Sequence, residues 1–459
     1  MIAAVIGLLL PVAVSWLSLR ALRWRQPTDS RTLTAAVAFG GGIGLSSVST
    51  FWLMAQWGLT GAWFVAADAC LWTAAGAAAW WHLRRTEPSG LRLFGDQPSP
   101  VPSPLTTADW LVRAVFALIA AVAFSTIVTE YVASPHGQWD AWAIWNQKAR
   151  FLFRGGDEWN AFLGVPWSNP SHPLLVSASV ARLWAYAGAE LTLVPAMLSL
   201  AFGAASVAAV MAALDLRRAR AWMAGAVLLA PGTFVQLAAA QTSDLPVGLF
   251  VVTTLIVLRN GDWGAAADAH GALFLAGVAG GLAAWTKNEG LLLWCIATSF
   301  VAFVAWRRGR IRPVAWWAAG AALALLTVAW LKLAVAPVPP PYLEDQTFAM
   351  LVERFLSPQR HAIVGGLAWQ YWIRWGGPWA SGALPLAMVA AAVAACTPGG
   401  RPVRGVVAIV ALMMAGYYAM WLLSPLDTVW LITTTFDRLL LQLWPAIVLA
   451  AFSTEFGRV

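Results

Sequence analysis

Long apolar segments separated by short polar ones run through almost the whole chain. Segments of about 20 residues, enough for a helix to cross a bilayer, are predicted at 1–19, 34–54, 61–81 and 110–132. Further helices are predicted at 191–213, 220–237, 245–259, 271–286, 290–306, 313–336, 377–396, 404–423 and 437–453. The pattern predicts an all-α, polytopic integral membrane protein with about 11–13 transmembrane helices.

Composition supports a membrane protein. The chain is 60% hydrophobic and 11% charged, with a mean hydropathy of +0.68, which excludes a water-soluble globule. The net charge of +8 comes mainly from arginines in short loops, so it indicates membrane topology, and no nucleic-acid partner is expected. The spacing of the three cysteines, Cys70, Cys295 and Cys396, implies no pairing.

Basic loops predict the orientation of the helices. The arginine clusters at 217–220, 307–312 and 401–404 are expected on the inner side of the membrane. Two large loops, 133–190 and 337–376, are then expected on the outer side. The short apolar run 174–187, which contains an arginine, is predicted to be a surface helix of the first loop and not a span.

The first outer loop begins with an amphipathic segment. On a helix of 3.6 residues per turn, Trp139, Trp142 and Trp145 share one side. Asp140 and Gln147 lie together on roughly the opposite side. We therefore expect a surface helix that rests on the bilayer through its tryptophans and holds the carboxylate of Asp140 over a cavity.

Polar motifs recur at the predicted outer ends of helices, while the chain lacks a Walker loop, a dinucleotide fingerprint, HExxH and GxSxG. In order, the motifs are Trp139-Asp140-Ala141-Trp142, Asn169-Pro170-Ser171-His172-Pro173, Ser243-Asp244-Leu245-Pro246, Thr286-Lys287-Asn288-Glu289-Gly290 and Asp437-Arg438-Leu439-Leu440. In their order and common side they resemble the bacterial membrane glycosyltransferases of the GT-C fold. These are relatives of the protein mannosyltransferases and aminoarabinose transferases, similar to glycosyltransferase family 39.

The resemblance implies a division of the chain. It runs from about residue 109 to the C terminus, so a GT-C-like catalytic core is expected at 109–459. Residues 1–108 are expected to hold N-terminal transmembrane helices and a Pro-rich linker around 97–104. Such enzymes usually place the acidic loop after the first helix, whereas about three additional helices precede it here.

The resemblance also implies a reaction and a location. The expected activity is an inverting transfer of a sugar from a polyprenyl-phosphate donor to a glycan, lipid or protein acceptor. It would occur at the extracytoplasmic face of the bacterial inner (plasma) membrane. Asp140 is the expected catalytic carboxylate, acting as base or orienting the acceptor. The alternative is that Asp140 only caps the helix that starts at Ala141.

Basic residues at outer helix ends are candidates to bind the donor phosphate. Lys287, Arg374 and Arg438 are the three candidates. The alternative for Lys287 is an ion pair with Glu289, and the alternative for Arg438 is a pair with Asp437 or another acid.

The remaining candidates are predicted to contact substrate. They are Asp244, Glu289, His172, Trp139 and Gln147, and a tryptophan in a loop suits stacking on a sugar ring. For Asp244 the alternative is helix capping. Asp140, His172 and Glu289 together also offer oxygen and imidazole ligands for a divalent metal ion, whereas His172 alone suits a hydrogen-bonding role in its loop.

A second function class stays open beside the transferase. A transporter or flippase of a polar or lipid-linked substrate also needs ionisable residues within a membrane protein. It would place them near the centres of helices and would show broken helices paired between two halves. The sequence places the charges at outer ends instead, which favours transfer.

Overall fold

Helices make up the regular structure of the chain. The computed structural model describes residues 2–22, 30–86, 105–260, 267–336, 346–397 and 400–453, and these ranges contain no strand. In chain order the helices are α1 Ile2–Ala21, α2 Arg31–Thr50, α3 Gly61–Thr86, α4 Thr107–Ala133, α5 Asn146–Arg154, α6 Leu175–Ala187, α7 Leu193–Ala213, α8 Ala219–Leu229, α9 Gly232–Ala239, α10 Asp244–Asn260, α11 Ala267–Thr286, α12 Asn288–Arg307, α13 Arg312–Trp330, α14 Phe348–Leu356, α15 Pro358–Arg374, α16 Ala383–Cys396, α17 Arg401–Leu423 and α18 Thr428–Ala451. The predicted all-α class is confirmed.

The length and composition of these helices define a polytopic membrane protein. Among the described residues, eight helices are long and apolar enough to cross a bilayer, or nine if the bent pair α8 and α9 forms one span. That number is smaller than the predicted 11–13. The predicted span at 220–237 bends by 67° between α8 and α9, and α16 and the apolar part of α11 are shorter than a full span.

The segment that holds Asp140 differs from the predicted surface helix. Residues Ala141–Trp145 form a π-helical turn, which rotates the following residues relative to an α-helix. Trp139 and Trp142 are exposed, but Trp145 is buried. The expectation that all three tryptophans share one exposed face is therefore wrong.

The predicted second surface helix is α6, and it lies inside the protein. Nearly all of its side chains are buried, and it packs against α1, α2 and α5. Arg182 in its middle forms an ion pair with Asp68 of α3, with 2.5 Å between Nη2 and Oδ2. Tyr186 donates a hydrogen bond to the same carboxylate. The arginine that suggested a surface position thus has a buried partner, which the sequence alone did not reveal.

The N-terminal helices pack directly on later ones. α2 contacts α6, α7 and α11, and α1 contacts α6. The predicted boundary near residue 108 stays a prediction, and the Pro-rich segment 97–104 lies outside the described residues.

Two predicted element limits are corrected near the C terminus. The predicted loop 337–376 contains α14 and α15, although residues 337–345 lie outside the described part of the chain. α18 begins at Thr428, nine residues before the predicted start at 437, where the Asp427 side chain accepts a hydrogen bond from the amide of Trp430. Arg438 therefore lies within a helix, about 15 Å along its axis from the first residue.

Candidate functional site: a charge cluster at one end of the bundle

Five charged side chains meet at one end of the helical bundle. They are the acids Asp140, Asp244 and Glu289 and the bases Lys287 and Arg438, and we call them the charge cluster. They come from the turn after α4, the first residue of α10, the link between α11 and α12, and the interior of α18. Four sequence motifs separated by up to about 300 residues are thereby brought together.

Asp244 lies at the centre of the charge cluster. Its side chain is fully buried, and its carboxylate accepts hydrogen bonds from Lys287 at 3.0 Å and Arg438 at 3.0 Å. Gln442 donates to it at 2.8 Å and Thr242 at 3.0 Å. Four side chains thus fix one carboxylate, which goes beyond the helix-capping role considered as its alternative.

Asp140 lies at the rim of the cluster. Its Oδ2 is 2.6 Å from Nη1 of Arg438, and about a fifth of its side chain is exposed. It makes no side-chain hydrogen bond to the helical turn that follows, so the capping alternative is not supported. Its Oδ1 accepts no hydrogen bond within the described part of the chain and is available to a ligand.

Lys287 is held by two carboxylates. Its Nζ is 2.8 Å from Glu289 and 3.0 Å from Asp244. Burial alone would lower the pKa of Lys287, but the two carboxylates raise it above its ordinary value. The ion pair with Glu289 that we considered as an alternative is present. Gly290 permits the tight helix hairpin here, because a Cβ at this position would lie 1.8 Å from the carbonyl oxygen of Ala283.

Arg438 joins the two aspartates. It pairs with Asp140 and Asp244, so its partners are distant acids and not the adjacent Asp437. One helical turn later, Gln442 bonds to Asp244 and accepts a hydrogen bond from the hydroxyl of Tyr417 at 3.1 Å. Gln442 was missed in the sequence, although its i+4 spacing from Arg438 places both side chains on one helix face.

His172 lies beside the cluster but forms no metal site there. Its ring packs edge-on against Trp145, and its Nδ1 is buried without a hydrogen-bond partner among the described residues. Burial and the nearby ammonium of Lys148 lower the pKa of His172 well below its ordinary value, so the ring is neutral at pH 7. The described residues contain no group of three potential metal ligands, and the predicted set with Asp140 and Glu289 does not assemble.

Two further lysines at this end were missed in the sequence. Lys148 is fully buried, and its Nζ donates to the carbonyl oxygen of Asn169 at 2.7 Å and more weakly to that of His172 at 3.4 Å. Burial, and then the charge of Lys332, lower the pKa of Lys148 to about 7. The signal in the sequence was a lysine next to a predicted catalytic segment.

Lys332 contacts the same loop. It lies in a π-helical turn, Leu331–Val335, that extends α13. Its Nζ donates to the carbonyl oxygen of Ser171 at 2.9 Å and to Oδ1 of Asn288 at 2.9 Å. The sequence placed it inside an apolar span, where a lysine suggests only interfacial snorkelling.

The other predicted residues do not join the charge cluster. Arg374 is exposed at the end of α15 and forms none of the cluster's ion pairs. Trp139 is half exposed and packs edge-on against Trp142. Gln147 has a buried Oε1 that lacks a hydrogen-bond partner in the described ranges.

Backbone strain is concentrated in the loops around the site. Among the described residues, three non-glycine residues have a positive φ, and Asn169 and Gln241 are two of them. Asn169 presents its carbonyl to Lys148, and Gln241 bonds to the side chain of Asn146. Strained backbone of this kind persists where surrounding contacts fix it, and it is typical of functional loops.

An aromatic groove adjoins the cluster. It has a volume of about 430 Å³ and lies between α15, α17 and α18. Three of its six aromatic lining residues are Trp369, Trp372 and Trp421, and Tyr417 connects it to the cluster through Gln442. Tyr417 and Gln442, both buried, thus lie between this groove and the carboxylate of Asp244.

The arginine-rich loops lie at the other end of the bundle. α12 starts beside the cluster and ends at Arg307, about 30 Å away along its axis. α10 runs the same way, and Arg259 near its end donates to the carbonyl oxygen of Ala213 at the end of α7. The cluster and the basic loops therefore occupy opposite ends, as the charge pattern predicts.

The fold and the charge cluster define a polytopic, all-α membrane protein with a partly open, ion-paired site at one end. No protein-family model, curated protein or solved structure matches this chain.

Proposed function

We propose that this protein is a glycosyltransferase of the bacterial inner membrane that uses a polyprenyl-phosphate-linked sugar at the outer face. The observation that carries the proposal is the carboxylate of Asp140, which has one oxygen fixed by Arg438 and the other free at the rim of a buried charge cluster. The proposal is also supported by the apolar aromatic groove, which suits a lipid chain and is linked to Asp244 through Tyr417 and Gln442.

The proposed reaction requires few protein groups. A hydroxyl or amine of a glycan, lipid or protein acceptor attacks the anomeric carbon, and Asp140 takes its proton or orients it. The bond from that carbon to the phosphate oxygen breaks, and the electron pair leaves with the polyprenyl phosphate. Attack opposite to the leaving phosphate inverts the anomeric centre.

The rest of the cluster supports this role for Asp140. Arg438 holds the carboxylate in one orientation, and its second partner Asp244 is itself fixed by four side chains. A preorganised network of this kind does not need to rearrange during the reaction. Because the described residues do not form a metal-binding group, we derive no step that uses a divalent ion.

The direct experiment is a transfer assay with the full-length protein in nanodiscs. A panel of polyprenyl-phosphate hexoses and pentoses is supplied with an extract of membrane glycans and lipids, and release of polyprenyl phosphate is measured. We expect acceptor-dependent release of one donor, and empty nanodiscs provide the control. Absence of release from every donor would contradict the proposal.

A transporter or flippase is the second candidate. It is favoured by charges inside helices, since Arg438 lies within α18 and Asp68 pairs with Arg182 between α3 and α6. Proteoliposomes that contain a fluorescent polyprenyl-phosphate sugar separate the two functions. Movement of the intact lipid between leaflets without cleavage would support the transporter.

A further inference from the structure

The lysines of this chain have an unusual distribution. Of its 29 basic residues only three are lysines, Lys148, Lys287 and Lys332, and all three lie at the charge cluster or the adjoining loop. Elsewhere the chain uses arginine. An ammonium is a compact charge with three hydrogen-bond donors, whereas a guanidinium is a planar fork. The site therefore has a chemistry that the other basic positions lack.

The cations at the site differ in whether a carboxylate neutralises them. Lys287 contacts two carboxylates, and Arg438 contacts two. Among the described residues, Lys332 donates hydrogen bonds only to a carbonyl and an amide oxygen, and Lys148 donates only to carbonyl oxygens. Lys148 also lies over the rings of Trp145 and Phe162. An anionic ligand would gain little from cations that already have counter-ions. It would gain most beside Lys148 and Lys332, which have no carboxylate partner in the described part of the chain.

Lys148 and Lys332 both donate hydrogen bonds to one short loop, Asn169–His172. Lys332 bonds to the carbonyl of Ser171, and Lys148 bonds to the carbonyls of Asn169 and His172. Lys148 is fully buried, whereas Lys332 is partly exposed and uses two of its three N–H donors among the described residues. Lys332 can therefore contact a ligand directly, whereas the buried Lys148 holds the loop in position through its hydrogen bonds.

We propose that Lys332, at the loop Asn169–His172, binds the phosphate group of the substrate. This rests on the proposed function, because the phosphate there belongs to a polyprenyl carrier, although a free phosphate offers the same oxygens. Lys287 is then a positioning residue that keeps Asp244 in place. Lys332 has one N–H left for the phosphate among its described contacts, and in the same loop the buried Nδ1 of His172 has no hydrogen-bond partner among the described residues.

The experiment measures binding of two probes, inorganic phosphate and farnesyl phosphate, to the full-length protein in nanodiscs. We expect Lys332→Gln to raise the Kd of both probes at least tenfold, and Lys332→Arg to keep part of the affinity because the charge persists. The matched control is Arg310→Gln, which removes one exposed positive charge at the opposite end and should leave both Kd values unchanged. Size-exclusion profiles confirm that each variant remains folded.

The outcomes separate this inference from the proposed function. Equal affinity of Lys332→Gln and the wild type overturns the inference, whether or not sugar transfer occurs. Wild-type protein that binds neither probe also overturns it. Lys332-dependent binding of inorganic phosphate by a protein that transfers no sugar supports the anion site and contradicts the glycosyltransferase.

Discussion

Buried charged residues at the site are stabilised by partners of opposite charge. Asp244 is fully buried, and a buried carboxylate is stable only with partners, which Lys287 and Arg438 supply as cations. These two cations are neutralised in return. Asp140 and Glu289 each combine an ion pair with a partly exposed side chain, as a catalytic carboxylate requires, whereas Asp244 does not.

Lys148 should make stability depend on pH. Its pKa is about 7 in the folded protein and near 10.5 when unfolded, so the unfolded chain binds more protons between these values. Stability should therefore rise from pH 7 to pH 10. Lys148→Met removes the buried charge and should raise the melting temperature by several degrees at pH 6, with a smaller gain at pH 10.

Thermal unfolding in detergent at pH 6, 8 and 10 measures this difference. Arg310→Met, at an exposed position, serves as the control and should show no such pH dependence. The stability difference between Lys148→Met and the wild type should depend on pH. A difference that is the same at all three pH values would contradict the lowered pKa of the buried Lys148.

Residue types at helix ends allowed part of the site to be predicted. Asp140, Asp244, Lys287, Glu289 and Arg438 stood out in the sequence because each is a charge beside an apolar segment, and the structure brings all five together. Their partners could not be predicted. Lys148 and Lys332 meet only because both bond to the loop 169–172, which is about 160 residues away from Lys332 in the sequence.

Among the helices, α3 and α6 are linked by a buried ion pair. Asp68 and Arg182 have no exposed surface beyond about 1%, and Tyr186 bonds to the same carboxylate. Asp68→Leu leaves an unpaired buried guanidinium and should cost about 3–5 kcal/mol. The double variant Asp68→Leu with Arg182→Leu should recover most of this loss.

Chemical unfolding of the single and double variants in detergent tests this link. A double variant as unstable as Asp68→Leu would show that the ion pair does not carry the effect. Full wild-type stability of the Asp68→Leu variant would contradict the burial of the ion pair between Asp68 and Arg182.

Helix positions were easier to predict than helix limits. Apolar periodicity located most of the long helices within a few residues, because a bilayer selects for hydrophobic length. It failed where the chain departs from a straight α-helix. The π-turn after Asp140 buries Trp145. The early start of α18 depends on Asp427 capping the segment Thr428–Phe436, which Asp437 and Arg438 separate from the later apolar run.

For the whole molecule, the two ends of the bundle should face opposite sides of the membrane. After replacing Cys70, Cys295 and Cys396, which are exposed, cysteines are introduced at the exposed positions Ser134 and Arg308. A membrane-impermeant maleimide should label Ser134→Cys in intact cells and Arg308→Cys only after lysis. Labelling of both from the same side would contradict the topology and the outer site.

The central claim concerns Asp140 as the carboxylate that acts on the acceptor. Asp140→Asn leaves Arg438 paired with Asp244, so folding should persist, but it removes the basic oxygen. The control is Asp427→Asn, which changes a capping aspartate to another good capping residue. The decisive measurement is sugar transfer from the polyprenyl-phosphate donor by these variants in nanodiscs. We predict at least about a 100-fold loss for Asp140→Asn and none for Asp427→Asn, whereas near-normal transfer by Asp140→Asn would contradict the account.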